Sequence, residues 1–320
     1  MPISDLPSPE PPALASQDPI VIGLVNNMPD AALRTTERQF SELIAAASGR
    51  RAVRLRFFAL PQVPRAEAGQ WHVTQHYEDI SQLWARPVDG LIVTGTEPRA
   101  AALQNEPYWP AFTDLVDWVE EHAVSTVWSC LAAHAAVFHL DGIDRQQLTA
   151  KLSGVFECEK AWEHPVVAGI PSRWCIPHSR HNGLAEEALV SKGYRIVARS
   201  REAGVDTFIR EQKSLYIFLQ GHPEYDRAAL LREYRRDVGR FLSRERDSYP
   251  EMPQRYFDEA AASVFSSFQR RAQHDRSIAL HASFPAAVAE GKLAYEWYRP
   301  AVHLYSNWLA YLSDRKTLNI

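Results

Sequence analysis

The sequence is poor in cysteine: three in 320 residues, Cys130, Cys158 and Cys175. None lies within a few residues of another, so there is no CxxC pair to hold zinc or run dithiol exchange, and an odd count speaks against a disulfide framework. Reduced thiols in a cytoplasmic setting are the simplest expectation. Long apolar runs are also lacking. The best stretch, Ser125 to Leu140, is broken by Ser129, His134 and His139, and a membrane helix needs roughly 20 apolar residues in succession. Nor is there an excess of positive charge. Against 35 Lys+Arg stand 39 Asp+Glu, a formal net charge of −4, so nothing draws the chain as a whole to nucleic acid or to an anionic membrane. Where basic residues gather they are mixed with acids. Arg232-Glu233-Tyr234-Arg235-Arg236-Asp237 has the look of a solvated helix face, Arg236 excepted. No repeat of fixed period occurs.

What is present is an ordinary globular balance, 46% hydrophobic and 23% charged, which excludes wholesale disorder. Residues 1–18 stand apart. Met1 to Pro19 holds six of the 21 prolines and no signal-peptide pattern, the composition of a mobile, partly polyproline arm. Ordered structure is expected from Ile20-Val21-Ile22-Gly23-Leu24-Val25, an apolar run fit for a strand buried on both faces. Asn26 to Asp30 then makes a turn, with Asp30 as candidate cap for a helix over Ala31–Ala47 that Gly49 stops. Further strands are expected at Val53–Leu60, at Asp89–Gly95 running into a turn, and at Ser125–Ser129, and a helix at Trp109–His122. Later strands fall at Trp174–Ile176, Tyr194–Ala198, Asp206–Arg210 and Leu215–Leu219. Alternating strands and helices in the first half give an α/β fold with a mostly parallel sheet. Beyond Gln220 the chain is largely helical, including the Ala-, Gln- and Arg-rich stretch Phe257–Gly291.

Two places carry chemistry. Cys130 sits between an apolar strand and a small-residue helix, where a tight turn exposes the side chain and aims the helix N-terminus at it. Amides there lower a thiol pKa and can hold an oxyanion. A lone cysteine in an apolar run is otherwise an inert core residue, and that plainer reading is given to Cys158 and Cys175. The second place is Leu219-Gln220-Gly221-His222-Pro223-Glu224-Tyr225-Asp226, which closes an apolar strand and so falls at the sheet's C-terminal edge, where α/β sites lie. Residues two apart in an extended segment point the same way. Glu224 can therefore orient the imidazole of His222 while its other nitrogen faces a thiol. A polar surface turn is the alternative. A metal is not expected, because His222 and Glu224 lack a third ligand nearby. His134 and His178 are the next candidates for the base.

Strand-Cys-helix followed much later by strand-Gly-His-Pro-Glu resembles the class I glutamine amidotransferase fold, with a Cys–His–Glu triad on a flavodoxin-like sheet. Over about Pro19 to Tyr311 the chain more narrowly resembles the homoserine O-acyltransferases of methionine biosynthesis that use this fold. The matching segments are Asn27-Met28-Pro29, Asp89-Gly90-Leu91-Ile92-Val93-Thr94-Gly95, Tyr108-Trp109-Pro110, Ser125-Thr126 leading to Cys130, and Lys151-Leu152-Ser153-Gly154-Val155-Phe156-Glu157. They continue with Pro177-His178-Ser179-Arg180, Gly221 to Asp226, Arg236-Asp237 and Ser306-Asn307-Trp308-Leu309. The resemblance implies an acyltransferase domain over 19–245, a helical C-terminal extension over 246–320 packed on it, and a homodimer. It implies that Cys130 takes the acyl group from an acyl-CoA as a thioester, with His222 as acid and base and Glu224 holding His222. Lys151, Ser179 and Arg236 would contact the amino-acid acceptor, homoserine, whose carboxylate suits an arginine. The oxyanion hole would be the N–H of Leu131 with that of Thr96. No bound cofactor is implied; succinyl-CoA would be a co-substrate.

Three departures stand out. Leu131 and His134 replace the Trp and Gln usual after the nucleophile. Arg99 falls where the family carries a Gly or Glu associated with choice of acyl donor. An arginine offers a two-pronged partner to the succinyl carboxylate, so succinyl-CoA is the expected donor; the alternative has Arg99 in solvent or paired with Glu97 or Glu106. Acetyl-CoA as donor, serine as acceptor, an amidotransferase-like hydrolase and a non-catalytic member of the fold stay open at this level.

Overall fold

The computed structural model describes residues 18–289 and 293–318. The proline-rich arm, except Asp18, and the end of the Phe257–Gly291 stretch lie outside the described residues. The first half alternates as expected: β1 (Ile20–Val25), α1 (Asp30–Ser48), β2 (Val53–Phe58), α2 (Glu67–His76), α3 (Ser81–Ala85), β3 (Gly90–Thr94), α4 (Trp109–His122), β4 (Ser125–Ser129) and α5 (Leu131–Asp141). The second half is β5 (Gln146–Lys160), β6 (Arg173–Gly183), α6 (Glu186–Ser191), β7 (Arg195–Ser200), β8 (Gly204–Glu211) and β9 (Leu215–Leu219). Helices α7 (Ala229–Leu242), α8 (Glu259–His274), α9 (Ala286–Ala289) and α10 (Tyr298–Thr317) follow.

Among the described residues the strands form one sheet, in the order β2-β1-β3-β4-β9-β8-β7-β5-β6. The five strands from β2 to β9 are parallel. From β8 to β6 the pairing is antiparallel, the product of strands that follow one another with little helix between. Period-two alternation decides what each face packs. Leu91, Val93, Trp128 and Phe218 join the core under α4 and α5, with Phe112, Leu115, Val116 and Val137. Their neighbours Ile92, Val127 and Ile217 face the other way, against Phe40 and Ile44 of α1 and Tyr305, Trp308 and Leu312 of α10. A third cluster joins α7 to α8 through Tyr234, Val238, Phe265, Phe268 and Phe284.

One expectation about the first helix is corrected. Asp30 does not cap it: Pro29 holds the cap position, in extended backbone, without a side-chain bond. Asp30 becomes the first helical residue, and its carboxylate instead accepts the Ala66 N–H at 2.7 Å and pairs with Arg65. The neighbouring motif residue Asn27 stitches three strand ends together. Its side chain accepts from the Leu60 N–H and donates to the Thr94 carbonyl, and its own N–H donates to the Thr94 hydroxyl.

Helix α10 is part of the sheet's second layer. The indole N–H of buried Trp308 donates to Ser125 Oγ at 2.9 Å, and that hydroxyl donates to the Leu215 carbonyl at 2.7 Å. Trp308→Ala should lower stability by about 3–5 kcal/mol, the cost of a large buried cavity. Trp308→Phe should cost about 1–2 kcal/mol, because chiefly the hydrogen bond is lost. Urea unfolding followed by circular dichroism reads both; an alanine variant as stable as the parent would show that this side chain does not anchor α10.

Candidate active site

Strand register brings the two chemical segments together. Thr94 of β3 pairs with Ser129 of β4, which pairs with Leu219 of β9. Gly95, Cys130 and Gln220 therefore leave the sheet side by side. The Cys130 N–H donates to the Leu219 carbonyl at 2.7 Å. Cys130 then turns through φ 51° and ψ −110° into α5, a left-handed conformation that costs a non-glycine residue strain and thrusts its side chain out of the turn. Gly95 lets the β3 loop lie against the first turn of α5, since a Cβ there would stand 2.5 Å from Leu131 Cβ and 3.0 Å from the Ala132 nitrogen. No acceptor among the described residues takes the Leu131 or Thr96 N–H; the first is one of the free donors of a helix start. Leu131 follows Cys130 in the chain, and Thr96 follows Gly95, whose loop lies against the first turn of α5.

His222 and Glu224 are buried, and Nδ1 of His222 lies 2.8 Å from Glu224 Oε1. The segment is a turn closed by the Tyr225 N–H on the His222 carbonyl at 3.1 Å, rather than extended. Pro223 fits its second position, and the two side chains still meet. Cys130 is the second group that acts on the charge of the ring. Burial disfavours the imidazolium, but Glu224 on one side and Cys130 on the other outweigh it, and the His222 pKa is raised well above its ordinary 6.5. Tyr225 covers the ring, stacked at 4.3 Å between centroids and 14° between planes.

Tyr225 also links this triad to a second group. Its hydroxyl donates to Glu233 Oε1, and the Ser179 hydroxyl donates to Glu233 Oε2. Lys151 Nζ lies 3.3 Å from Glu233 and 2.7 Å from Asp237. The Arg236 guanidinium binds Asp237 Oδ1 through Nε at 3.1 Å and Nη2 at 3.0 Å. Burial works against the Glu233 charge, yet Lys151, Arg236 and the two hydroxyls hold that carboxyl below its usual range. The three residues expected to contact an acceptor are thus gathered around two acids of α7.

The loop after β3 is fixed from two sides. Glu97 is held by both Nη atoms of Arg240, at 3.0 Å each. Buried Glu106 accepts the main-chain N–H groups of Arg99 and Ala100 at 2.5 and 2.6 Å. Arg99 itself is exposed, and neither Glu97 nor Glu106 pairs with its guanidinium.

Comparison with known proteins adds the family. The family model for homoserine O-succinyltransferase matches residues 13–318. The chain belongs to the homoserine O-succinyltransferase family. The homoserine O-succinyltransferase of Methylorubrum extorquens is 47% identical over 297 residues, 93% of this chain and 88% of that one. That of Rhodopseudomonas palustris is 48% identical over 295 residues, 92% and 89% of the two chains. A glutamine amidotransferase from Methylobacillus flagellatus superimposes with a TM-score of 0.50 over 92% of this chain and 94% of that one. At 14% identity this is a likeness of fold alone. Among the described residues no helix is long and apolar enough to cross a membrane.

Within this family member, Tyr225 and Glu233 are the two residues to which the sequence pattern gives no role. Glu233 and Asp237 are corrected from solvated to enclosed positions. Their signal was helical spacing: residues 233, 236, 237 and 240 share one face of α7. The substitute bases are committed elsewhere. His134 Nε2 donates to Gln220 Oε1 at 2.8 Å, and burial holds its pKa near 4, leaving the ring neutral. His178 is wholly buried beside Asp206, and burial lowers its pKa despite that carboxylate. Burial pushes the Cys158 thiol far up and the Cys175 thiol to about 11, so both stay protonated at neutral pH.

Because the folded-state pKa of His222 lies above the unfolded one, its stabilising contribution is full below pH 6.5 and fades as pH rises through the folded value. Glu224→Gln should move the His222 imidazole titration, read by proton–nitrogen NMR, to distinctly lower pH. An unmoved titration would mean that Glu224 does not hold the imidazolium.

Proposed function

We propose that the chain moves a succinyl group from succinyl-CoA to the hydroxyl of L-homoserine through a thioester on Cys130. The observation that carries this reading is the Cys130–His222–Glu224 triad, linked through Tyr225 to a charged cluster that offers both signs to a zwitterionic acceptor. Cys130 sulfur attacks the acyl carbonyl of succinyl-CoA, its proton having passed to His222. The oxyanion forms against the Leu131 and Thr96 N–H groups. Coenzyme A leaves as its thiol, taking the proton from the His222 imidazolium. Homoserine then enters; His222 removes its hydroxyl proton as the oxygen attacks the Cys130 thioester, and the cysteine is released as O-succinylhomoserine forms. Glu224 keeps the ring in the tautomer and orientation both steps need.

Lys151, Ser179 and Arg236 contact the acceptor. Arg236 spends one edge of its guanidinium on Asp237, which leaves the remaining N–H donors for a carboxylate. Arg99 selects the donor by pairing with the succinyl carboxylate. Support comes from its free guanidinium in the loop that also supplies the Thr96 N–H, and from the names of the relatives above, which are succinyltransferases.

Cys130→Ala and Cys130→Ser should abolish transfer with the fold intact, since neither offers a thiolate. His222→Ala should lower kcat by about 10²–10⁴-fold. Mass spectrometry of the native chain with succinyl-CoA and no acceptor should find a mass shift of one succinyl group on Cys130. An active Cys130→Ala variant would sink the mechanism.

The donor is tested by kcat/KM for succinyl-CoA and acetyl-CoA, each with homoserine and with serine. Hydrogen bonding to a charged group is worth about 1.5–3 kcal/mol, so Arg99→Glu should lower the succinyl-to-acetyl ratio by at least about tenfold. A parent that prefers acetyl-CoA, or a ratio indifferent to Arg99→Glu, would remove Arg99 from the assignment.

A further inference from the structure

Behind the triad lies a second polar group, wholly buried and unused by the chemistry above. Arg180, His178 and Asp206 are 5%, 0% and 1% exposed. Arg180 Nε donates to His178 Nδ1 at 3.3 Å. An arginine only donates, so Nδ1 carries no proton and Nε2 does. That Nε2 lies 3.2 Å from Asp206 Oδ1, too bent for a full hydrogen bond. The same oxygen accepts the Gly221 N–H at 3.1 Å, and Asp206 Oδ2 accepts from the Thr207 hydroxyl at 2.6 Å. The Asp206 carbonyl accepts the Gln220 N–H at 2.9 Å, and the Pro177 carbonyl, next to His178, accepts the His222 N–H at 2.8 Å. Three successive N–H groups, ending at His222, are thus held by Asp206 and by the residue before His178.

The fit is tight. A Cβ on Gly221 would stand 2.4 Å from Ile176 Cγ2, 2.6 Å from Asp206 Oδ1 and 3.1 Å from His178 Nε2. The backbone just before His222 is pressed against the pair with no room for a side chain.

We propose that Asp206, fixed by Thr207 and backed by His178, is a positioning residue that sets the Gly221–His222 backbone and so the reach of the imidazole to Cys130. A metal reading of the same place is weaker. Cys158 Sγ, His178 and Asp206 offer ligand atoms within 4.8 Å of one another. The Arg180 bond on Nδ1 would force a metal on Nε2 to bind an imidazolate, and Cys158 is a buried, protonated thiol. Asp206 touches backbone and neighbouring side chains, so its effect on the reaction runs through His222.

This inference rests on the assignment of Cys130 and His222, and the test separates the two. Full-length Asp206→Ala and Asp206→Asn are compared with the parent by kcat, KM for both substrates, and the rate at which iodoacetamide alkylates Cys130, located by peptide mass spectrometry. Alkylation reads the Cys130–His222 pair without requiring acyl transfer. Asn keeps the acceptor at Oδ1, while its amide can donate to a Thr207 hydroxyl turned to accept. A small displacement of a catalytic group costs about 10–100-fold, so Asp206→Ala should lose that much in kcat and a similar factor in alkylation. Its KM values should stay within about twofold, and Asp206→Asn should recover both rates to within about threefold. Thr207→Val, nearly the same shape, removes only the hydroxyl on Asp206 and should lower kcat by about two- to fivefold at unchanged KM; it decides the matter should Asp206→Ala fail to fold. The proposal is overturned by Asp206→Ala or Thr207→Val matching the parent in kcat, by a change confined to KM, by a folded Asp206→Asn as impaired as Asp206→Ala, or by stoichiometric zinc in the protein as purified.

Discussion

The bond from the Cys130 N–H to the Leu219 carbonyl is the last rung of the parallel ladder and the first contact of the site. Beyond it Cys130 cannot continue as strand, because α5 begins at the next residue and Gly95 of the adjacent loop occupies the space alongside. The strained φ of Cys130 is the geometric consequence, and the ladder over-determines it. Strand β9 ends at the same level, so the turn carrying His222 has only one residue pair, Gln220 and Gly221, in which to reach the thiol. Thiol and imidazole are thereby held at the ends of two adjacent strands.

Electrostatics act on this frame in two separate compartments. Around His222 one acid and one thiol face one imidazole, and burial makes each partner count for more than it would in water. Around Glu233 and Asp237, two acids meet Lys151 and Arg236 with the hydroxyls of Ser179 and Tyr225. That second group is balanced before any substrate arrives. A zwitterion entering it exchanges one set of ion pairs for another without leaving a buried charge alone. Tyr225 stands between, stacked on the imidazole and bonded to Glu233. Its own pKa is pushed well above the ordinary phenol value by burial and by Glu233, so it remains a donor.

Much of this was legible because the relevant signals are local. An apolar run ended by Gly-His-Pro-Glu marks β9 and its turn, and α4 begins and ends where the spacing of Phe112, Leu115, Val116 and Val119 says it should. The Cys130 junction is visible because strand and small-residue helix meet there. Other parts depend on partners far away in sequence. Strand β5 is largely exposed on both faces over Gln146 to Ala150, and its pairing slips between Gln147 and Leu152, so no buried period-two alternation marks its start. Glu233 and Asp237 resemble any charged helix face until β5 and β6 are laid against α7. The residue type of Asp30 suits a cap, but its partners are Arg65 and Ala66, which no local pattern announces. Asp206 and His178 lie inside otherwise ordinary strands, and only the cross-strand register shows what they hold.

Helix α7 holds both the Lys151 cluster and the loop after β3, through contacts of unequal depth. Its Asp237 meets Lys151 in a nearly enclosed pair, whereas its Arg240 meets Glu97 with side chains 37% and 55% exposed. Dissolved ions screen the second pair over about 8 Å at physiological strength and scarcely enter the first. Rising salt therefore weakens the Arg240–Glu97 pair while the Lys151–Asp237 pair is kept, and buried Glu106 still holds the Arg99 and Ala100 N–H groups. The same helix thus holds one neighbour by a pair that salt scarcely reaches and another by a pair that salt weakens.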